Sequence, residues 1–450
     1  MSVQSDIGGK APAARLGMGE KLSYGAGEVA SNLAWNMATG FLLIYYTDVA
    51  LIPAAALGLL MLVTRTLDAI FDPLAGIAVD RTSSRLGKAR PYLLYAPILF
   101  AILFVATFSV PDWSATGKLV WAYVTFTLLG LVYSFLYVPF SAMLPMLTRD
   151  EDEKIQLGSF RAMATSIASI FTYGLAMGLV GYFGAGDRHW GFTLTAAFFG
   201  VITVLLYWLT FANCRERYVQ PASQAQPVFR SLKSIMTNPV WRVAFGLKLL
   251  TFARIGVQVS CLAFFVKDVL GNPGLISVML PLMSVMILSG GAIARTWVRT
   301  FGLERGNIIA AVIQSVLILA LPFVEQNTTL FIAIFVISAI PSGVGAASQF
   351  RLGADAVEWH EANFGHREEG LIASALSFGL KVGMAIGTAL TGFALGYAGY
   401  SPHAPSESAN DALRFLIYGG PVIANALLIF GWWRFSLIVR GRPADPALAS

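Results

Sequence analysis

Three ionisable residues, Arg65, Asp68 and Asp72, fall at spacings of three and four within the apolar run T-R-T-L-D-A-I-F-D-P. On a helix those spacings put all three on one face, with neighbouring Cβ atoms about 6 Å apart. Two carboxylates that close in a low dielectric cannot both ionise without a cation beside them. Arg65 neutralises one, and the other calls for a proton or a metal ion, which is the arrangement of a cation-coupling site. A salt-bridge knot that only ties helices together is the alternative. Pro73 follows directly and interrupts the helix hydrogen bonding there.

Other polar residues sit in apolar surroundings. Glu28, Asn32 and Asn36 recur at i, i+4 and i+8, with Trp35 beside them, so they form one stripe. The stripe faces a protein interior, as a lining or as hydrogen-bonded packing between helices. Tyr133, Ser134 and Tyr137 share a face just before Pro139, and Arg161 opens a further run, where it is either an anchor at the membrane surface or deeper. Lys248, Arg254 and Gln258 lie in one later run. Lys381 stands about a dozen residues from the nearest charge, too deep to snorkel. It is expected to point into a cavity and meet a carboxylate, a substrate anion or hydroxyls. Asp355, Glu358, His360, Glu361 and Arg367 gather at the end of another run, as a solvated loop or an inner gate held by ion pairs. Ionisable groups at membrane depth are costly and are functional candidates by default.

The elements that position these residues follow from composition. Of 450 residues, 56% are hydrophobic and 12% charged, against about 25% charged in soluble domains. Lipid is the solvent such a chain requires. Apolar runs fall near 25–48, 53–79, 91–111, 117–147, 157–185, 190–213, 240–269, 273–296, 306–324, 328–350, 369–399 and 412–438. Each is long enough to span a bilayer as a helix of about 20 residues. The expected fold is an all-α membrane protein of twelve transmembrane helices in two six-helix halves. The expected division is a tail at 1–20, a first bundle at 21–214, a central loop at 215–239, a second bundle at 240–440 and a tail at 441–450. The first twenty residues show no apolar targeting segment.

Lys and Arg concentrate in alternate connections: Lys10, Arg15 and Lys21; Arg81, Arg85, Lys88 and Arg90; Arg215, Arg217, Arg230 and Lys233; Arg299 and Arg305; Arg440 and Arg442. The other connections carry only Lys118, Arg188, Lys267 and Arg414. By the positive-inside rule both termini and the central loop are cytoplasmic. The net charge of +6 is explained by this distribution and not by nucleic acid. Two cysteines, Cys214 and Cys261, exclude a disulfide scaffold or a multi-cysteine metal site, and the four histidines show no ligand spacing. No H-E-x-x-H, G-x-S-x-G or Walker-type loop is present, which argues against a membrane enzyme. The basic, Gly-containing loops 80–91 and 295–307 stand at equivalent places in the two halves, as in transporters built from paired six-helix repeats.

With these residues in view, the sequence resembles the glycoside–pentoside–hexuronide:cation symporters, the melibiose-permease-like branch of the major facilitator superfamily. The resemblance runs from about Lys21 to Arg440. It rests on K-L-S-Y-G-A-G-E at 21–28, Y-Y-T-D-V at 45–49, L-D-A-I-F-D-P at 67–73 and D-R-T-S-S-R-L-G-K-A-R-P at 80–91. Y-V-P-F at 137–140 and E-G-L-I-A-S-A-L-S-F-G-L-K-V-G at 369–383 extend it.

The resemblance implies alternating-access symport of a sugar, glycoside or hexuronide with H⁺ or Na⁺, in a bacterial inner membrane, by a monomer without a cofactor. It implies a cation site at Asp68, Asp72 and Ser134. It implies cavity positions at Arg161 and Lys381, and together with the polar and aromatic residues Asn32, Trp35, Asn36, Tyr133 and Tyr137 these form the expected substrate site. Arg65, Glu28, Arg254, Asp355 and Glu358 are then ion-pairing or gating residues. Three departures qualify this: Asn32 and Tyr137 replace acidic sugar ligands of the family, and Ser141 replaces a tryptophan. With Arg161 and Lys381 but fewer carboxylates, the cavity is expected to suit an acidic sugar. Phe71 replaces an asparagine of the Na⁺-using members, which favours H⁺. A lipid or lysolipid carrier and a non-transporting sensor of the same fold are the alternative readings; the polar stripe on the first helix favours a hydrated solute.

Overall fold

The computed structural model describes residues 16–148, 150–218, 235–364, 369–402 and 406–440, and the side chains of Arg65 and Asp68 are not among those described. Six helices form the first half: α1 (Met18–Asp48), α2 (Ala54–Arg81), α3 (Arg90–Thr107), α4 (Ala115–Leu147), α5 (Glu151–Gly184) and α6 (Arg188–Asn213). The second half comprises α7 (Pro239–Phe264), α8 (Ile276–Phe301), α9 (Leu303–Val324), α10 (Thr328–Phe364), α11 (Glu369–Tyr397) and a last span made of α12 (Glu407–Arg414) and α13 (Gly420–Arg440). One turn of π-helix, Phe265–Val269, extends α7, and another, Phe415–Gly419, joins α12 to α13. Among the described residues there is no strand.

Local chemistry sets the helix starts. Ser114, Asp150, Asp187, Asn238 and Ser406 each accept a hydrogen bond from a backbone N–H of the first turn, which satisfies donors that the helix itself leaves free. Among the described residues, ten helical stretches are long and apolar enough to cross a membrane. The 31 residues of α1 are also ample, since that length rises roughly 46 Å. Its polar stripe is what lowers its apolarity. The 37-residue α10 runs on to Phe364, so Asp355, Glu358 and Glu361 lie on a continuing helix and not in a loop. Their charge density marks the wet end of a helix that outruns its apolar stretch.

Alternate helices run in opposite directions, so one face of the molecule holds both ends of the described chain. We call it the terminal face and the opposite one the far face. Between the halves α1 packs on α7, α2 on α11 and α5 on α8. Shifting each number by six exchanges the α2–α11 pair with the α8–α5 pair, so the seam has approximate two-fold symmetry. Small residues allow close approach along it. A Cβ on Gly392 of α11 would lie 2.9 Å from the backbone of Gly58 on α2. Within the second half, Gly383 and Gly387 let α11 lie directly on α7, where a Cβ would meet the carbonyl oxygens of Leu249 and Ala253 at 2.4 and 2.1 Å. This small-x-x-x-small contact fixes the helix that carries Lys381.

Candidate functional site

The stripe on α1 meets a matching stripe on α5. Arg161, Thr165, Ser169 and Tyr173 recur every fourth residue of α5 and face Glu28, Asn32 and Asn36. Arg161 Nε donates to Glu28 Oε2 at 2.6 Å. Its Nη2 reaches the Tyr137 hydroxyl at 3.0 Å and Ser141 Oγ at 3.3 Å, both on α4. Glu28 Oε1 accepts from Asn32 Nδ2 at 3.1 Å, Thr165 Oγ1 at 3.4 Å and the Tyr137 hydroxyl at 3.5 Å. Asn36 Nδ2 donates to Ser169 Oγ at 3.0 Å and its Oδ1 accepts from the Tyr173 hydroxyl at 3.5 Å. Arg161 is thus not a surface anchor. Its guanidinium carbon lies 5.3 Å from the centroid of the Phe140 ring, a cation–π contact. Thr165, Ser169 and Tyr173 were missed in the sequence, although their spacing from Arg161 repeats that of the α1 stripe.

Beside this polar seam stands an aromatic ladder. Trp35 stacks on Tyr133 with centroids 4.8 Å apart and planes 19° from parallel. Tyr133 stacks in turn on Tyr137 at 5.5 Å and 6°. One turn of α4 separates the two tyrosines, so the helix repeat itself sets the stacking distance. Ser134, on the next position of α4, is buried. The ladder therefore joins α1 to α4 and ends at the hydroxyl that bridges Arg161 and Glu28.

Across the seam between the halves, Lys381 Nζ of α11 pairs with Asp72 Oδ2 of α2. The side chains keep 14% and 27% of their surface exposed, so the pair is not sealed in a core. Asp72 Oδ1 is buried and, among the described residues, has no hydrogen-bond partner. The sequence suggested that one arginine and two aspartates leave an unbalanced negative charge on α2. Lys381 supplies the second positive charge from the other half. The side chains of Arg65 and Asp68 lie outside the described residues. The expectation of an acidic cargo rested on two cations short of carboxylates. Arg161 and Lys381 each have one.

The remaining three residues expected to pair or gate lie in the second half. Arg254 is buried inside the second half, where Nη1 donates to Asn425 Oδ1 at 2.7 Å and Nη2 to Ser342 Oγ at 3.1 Å. Among the described residues no carboxylate pairs with it, and its role is to tie α7 to α10 and α13 through neutral groups. Asp355 is half-buried and Glu358 exposed, both on the terminal-face end of α10.

The far face holds a charged cluster that the sequence showed only as a stray cation in a bare connection. Lys267, on the extension of α7, pairs with Asp48 at the end of α1 and lies 3.4 Å from Asp268. The Tyr400 hydroxyl lies 3.1 Å from both Asp48 Oδ1 and Asp268 Oδ2 and accepts from Lys267 at 3.0 Å. Burial, then the two carboxylates, push the Tyr400 phenol well above its ordinary range, so it stays a donor. Asp48 and Asp268 side chains are each 4% exposed. This cluster clamps the far-face ends of the two halves together. Nearby, Leu280 of α8 packs against the Gly40 and Tyr173 region of the first half.

The chain matches the family model described as MFS/sugar transport protein over residues 23–438. It is 35% identical over 418 residues to the putative glycoside/cation symporter YagG of Escherichia coli (strain K12), covering 92% of this chain and 90% of that protein. It is 32% identical over 387 residues to the glucuronide carrier protein homolog of the same organism, covering 84% and 83%. Its fold is similar to that of a bacterial homologue of the human lysosomal transporter Spinster in an inward-facing, occupied conformation, with a TM-score of 0.69 at 12% identity over 93% of this chain and 96% of that one. With two six-helix halves, an ion pair across the seam between them and a match across nearly its whole length, the chain belongs to the sugar-transporting branch of the major facilitator superfamily and is a membrane transporter of the sugar/cation symporter type.

Proposed function

We propose that the protein carries a sugar or glycoside together with H⁺ or Na⁺ by alternating access. The observation that carries this reading is the state of Asp72: one carboxylate oxygen holds Lys381 from the opposite half, and the other is buried without a donor among the described residues. An unpaired buried acceptor is costly and is a natural seat for a proton or a small cation. A cation arriving there weakens the hold on Lys381, and the freed ammonium can take a sugar hydroxyl. A sugar on Lys381 conversely releases Asp72 for the cation. Each ligand then favours the other, and that coupling is reciprocal. Asp68 and Ser134 would complete the cation site, as the family resemblance implies. The cargo would bridge the α1–α4–α5 seam and α11.

The distribution of Lys and Arg supports a cytoplasmic terminal face. The far-face clamp of Asp48 and Lys267 supports reading this conformation as open toward the cytoplasm. Counterflow in proteoliposomes, with a panel of neutral and acidic glycosides, with and without Na⁺ and at two pH values, tests the reading. Exchange of at least one glycoside, with uptake that responds to Na⁺ or to pH, is the expected result. Exchange of none of them would overturn it.

A further inference from the structure

We infer that Glu28 sets the charge of the cargo, and that the cleft selects an uncharged sugar or glycoside over its uronide. This rests on the reading of the protein as a glycoside carrier and goes beyond it by naming the class. Relatives of this chain are named both for glycosides and for glucuronide, so family membership leaves the cargo's charge open.

Charge balance and fixed geometry set this preference. Glu28 occupies Arg161 Nε at 2.6 Å, with side chains 6% and 21% exposed. Its other oxygen is held by Asn32, Thr165 and Tyr137 from three helices, so the carboxylate cannot swing away cheaply. A uronide carboxylate seeking Arg161 must therefore displace the buried Glu28 carboxylate and leave it stranded. Breaking one side of a buried charge pair costs from about a hundredfold to a few thousandfold in an equilibrium. A hydroxyl both donates and accepts. It can join the Glu28–Arg161–Tyr137 network without dissolving the pair, while the apolar face of a sugar ring lies against the Trp35–Tyr133–Tyr137 ladder. Asn32, beside Glu28, offers an uncharged amide where a neutral hydroxyl is the fitting partner.

The test is counterflow with one aryl aglycone presented as its glucoside, xyloside and glucuronide, on the full-length protein in proteoliposomes. For the wild type, the neutral glycosides should exchange at least tenfold faster than the glucuronide. Glu28→Gln leaves Arg161 uncompensated and should raise the glucuronide-to-glucoside ratio at least tenfold, whereas Glu28→Asp should keep the wild-type ratio. A wild type that prefers the glucuronide, or a Glu28→Gln variant with an unchanged ratio, overturns the inference. The wild-type ratio decides even if Glu28→Gln does not fold. Failure of every glycoside to exchange overturns the transport reading itself, whereas exchange with the opposite charge preference overturns only the role of Glu28.

Discussion

Lys381 and Asp72, 309 positions apart in the chain, form an ion pair across the boundary between the two halves of the transporter. It joins α11 to α2, a helix pair whose backbones already touch at Gly392 and Gly58. A charge pair placed on that seam lets the occupancy of one carboxylate influence how the halves meet.

The clamp on the far face predicts a conformational effect. Asp48→Asn removes the one carboxylate of the cluster that lies in the first half and leaves Lys267 to Asp268 and Tyr400 of its own half; removing one partner of a buried pair costs up to about 3–5 kcal/mol. Each 1.4 kcal/mol or so of that, if spent on the closed state, shifts the population tenfold. A cysteine at Leu280, buried in the same seam, should then react with an impermeant thiol reagent from the far side at least tenfold faster than in the Asp48-containing background. An unchanged labelling rate would show that Asp48 does not hold this face shut.

The aromatic ladder predicts a loss of affinity. Trp35→Ala removes a stacked partner of Tyr133 at 4.8 Å and the surface offered to a sugar ring. Aromatic stacking contributes about 0.5–1.5 kcal/mol beyond area burial, so substrate affinity measured by tryptophan-independent means, such as isothermal calorimetry, should weaken by several-fold to tenfold. Affinity equal to that of the wild type would remove the ladder from the substrate site.

A further prediction concerns pH. Glu325, at the end of α9, accepts from Arg414 Nη2 at 2.7 Å and from the Tyr418 hydroxyl at 2.8 Å. The Arg414 hydrogen bond is the main cause that holds its carboxyl below the ordinary value, against the opposing effect of burial. A carboxyl lowered in the folded state adds stability above its unfolded pKa, about 4.3 for glutamate. That contribution is lost as pH falls through the lower, folded value. The melting temperature of the wild type should therefore exceed that of Glu325→Gln at pH 7, with the gap closing as pH drops below about 4.3. A gap that stays constant from pH 7 to 3 would contradict this.

Much of the site was legible because a polar residue at membrane depth is conspicuous. The period-four stripe of Glu28, Asn32 and Asn36 and the depth of Lys381 could be read directly. What each would touch could not, because the partners are brought together by tertiary packing over separations of 133 and 309 residues. Arg161 looked solitary, yet Thr165, Ser169 and Tyr173 repeat its spacing, and comparing the two stripes would have predicted the α1–α5 seam. Asp48 and Lys267 are 219 residues apart and show locally only as a carboxylate at a helix end and a rare cation in a bare connection. The span pattern was legible throughout because each run is solvated by lipid. The end of α10 was not, since helical hydrogen bonding continues past the apolar stretch wherever charged side chains can reach water.

Uptake of the coupling cation by Asp72 is the step on which transport turns. The most direct measurement is accumulation of a glycoside by proteoliposomes under an imposed H⁺ or Na⁺ gradient, wild type against Asp72→Asn, with counterflow as the control. The amide keeps the shape, removes the charge and leaves Lys381 free to meet the sugar. The account predicts that the variant inserts normally and still exchanges sugar in counterflow, but does not accumulate it above equilibrium. Accumulation by Asp72→Asn at the wild-type level would contradict it.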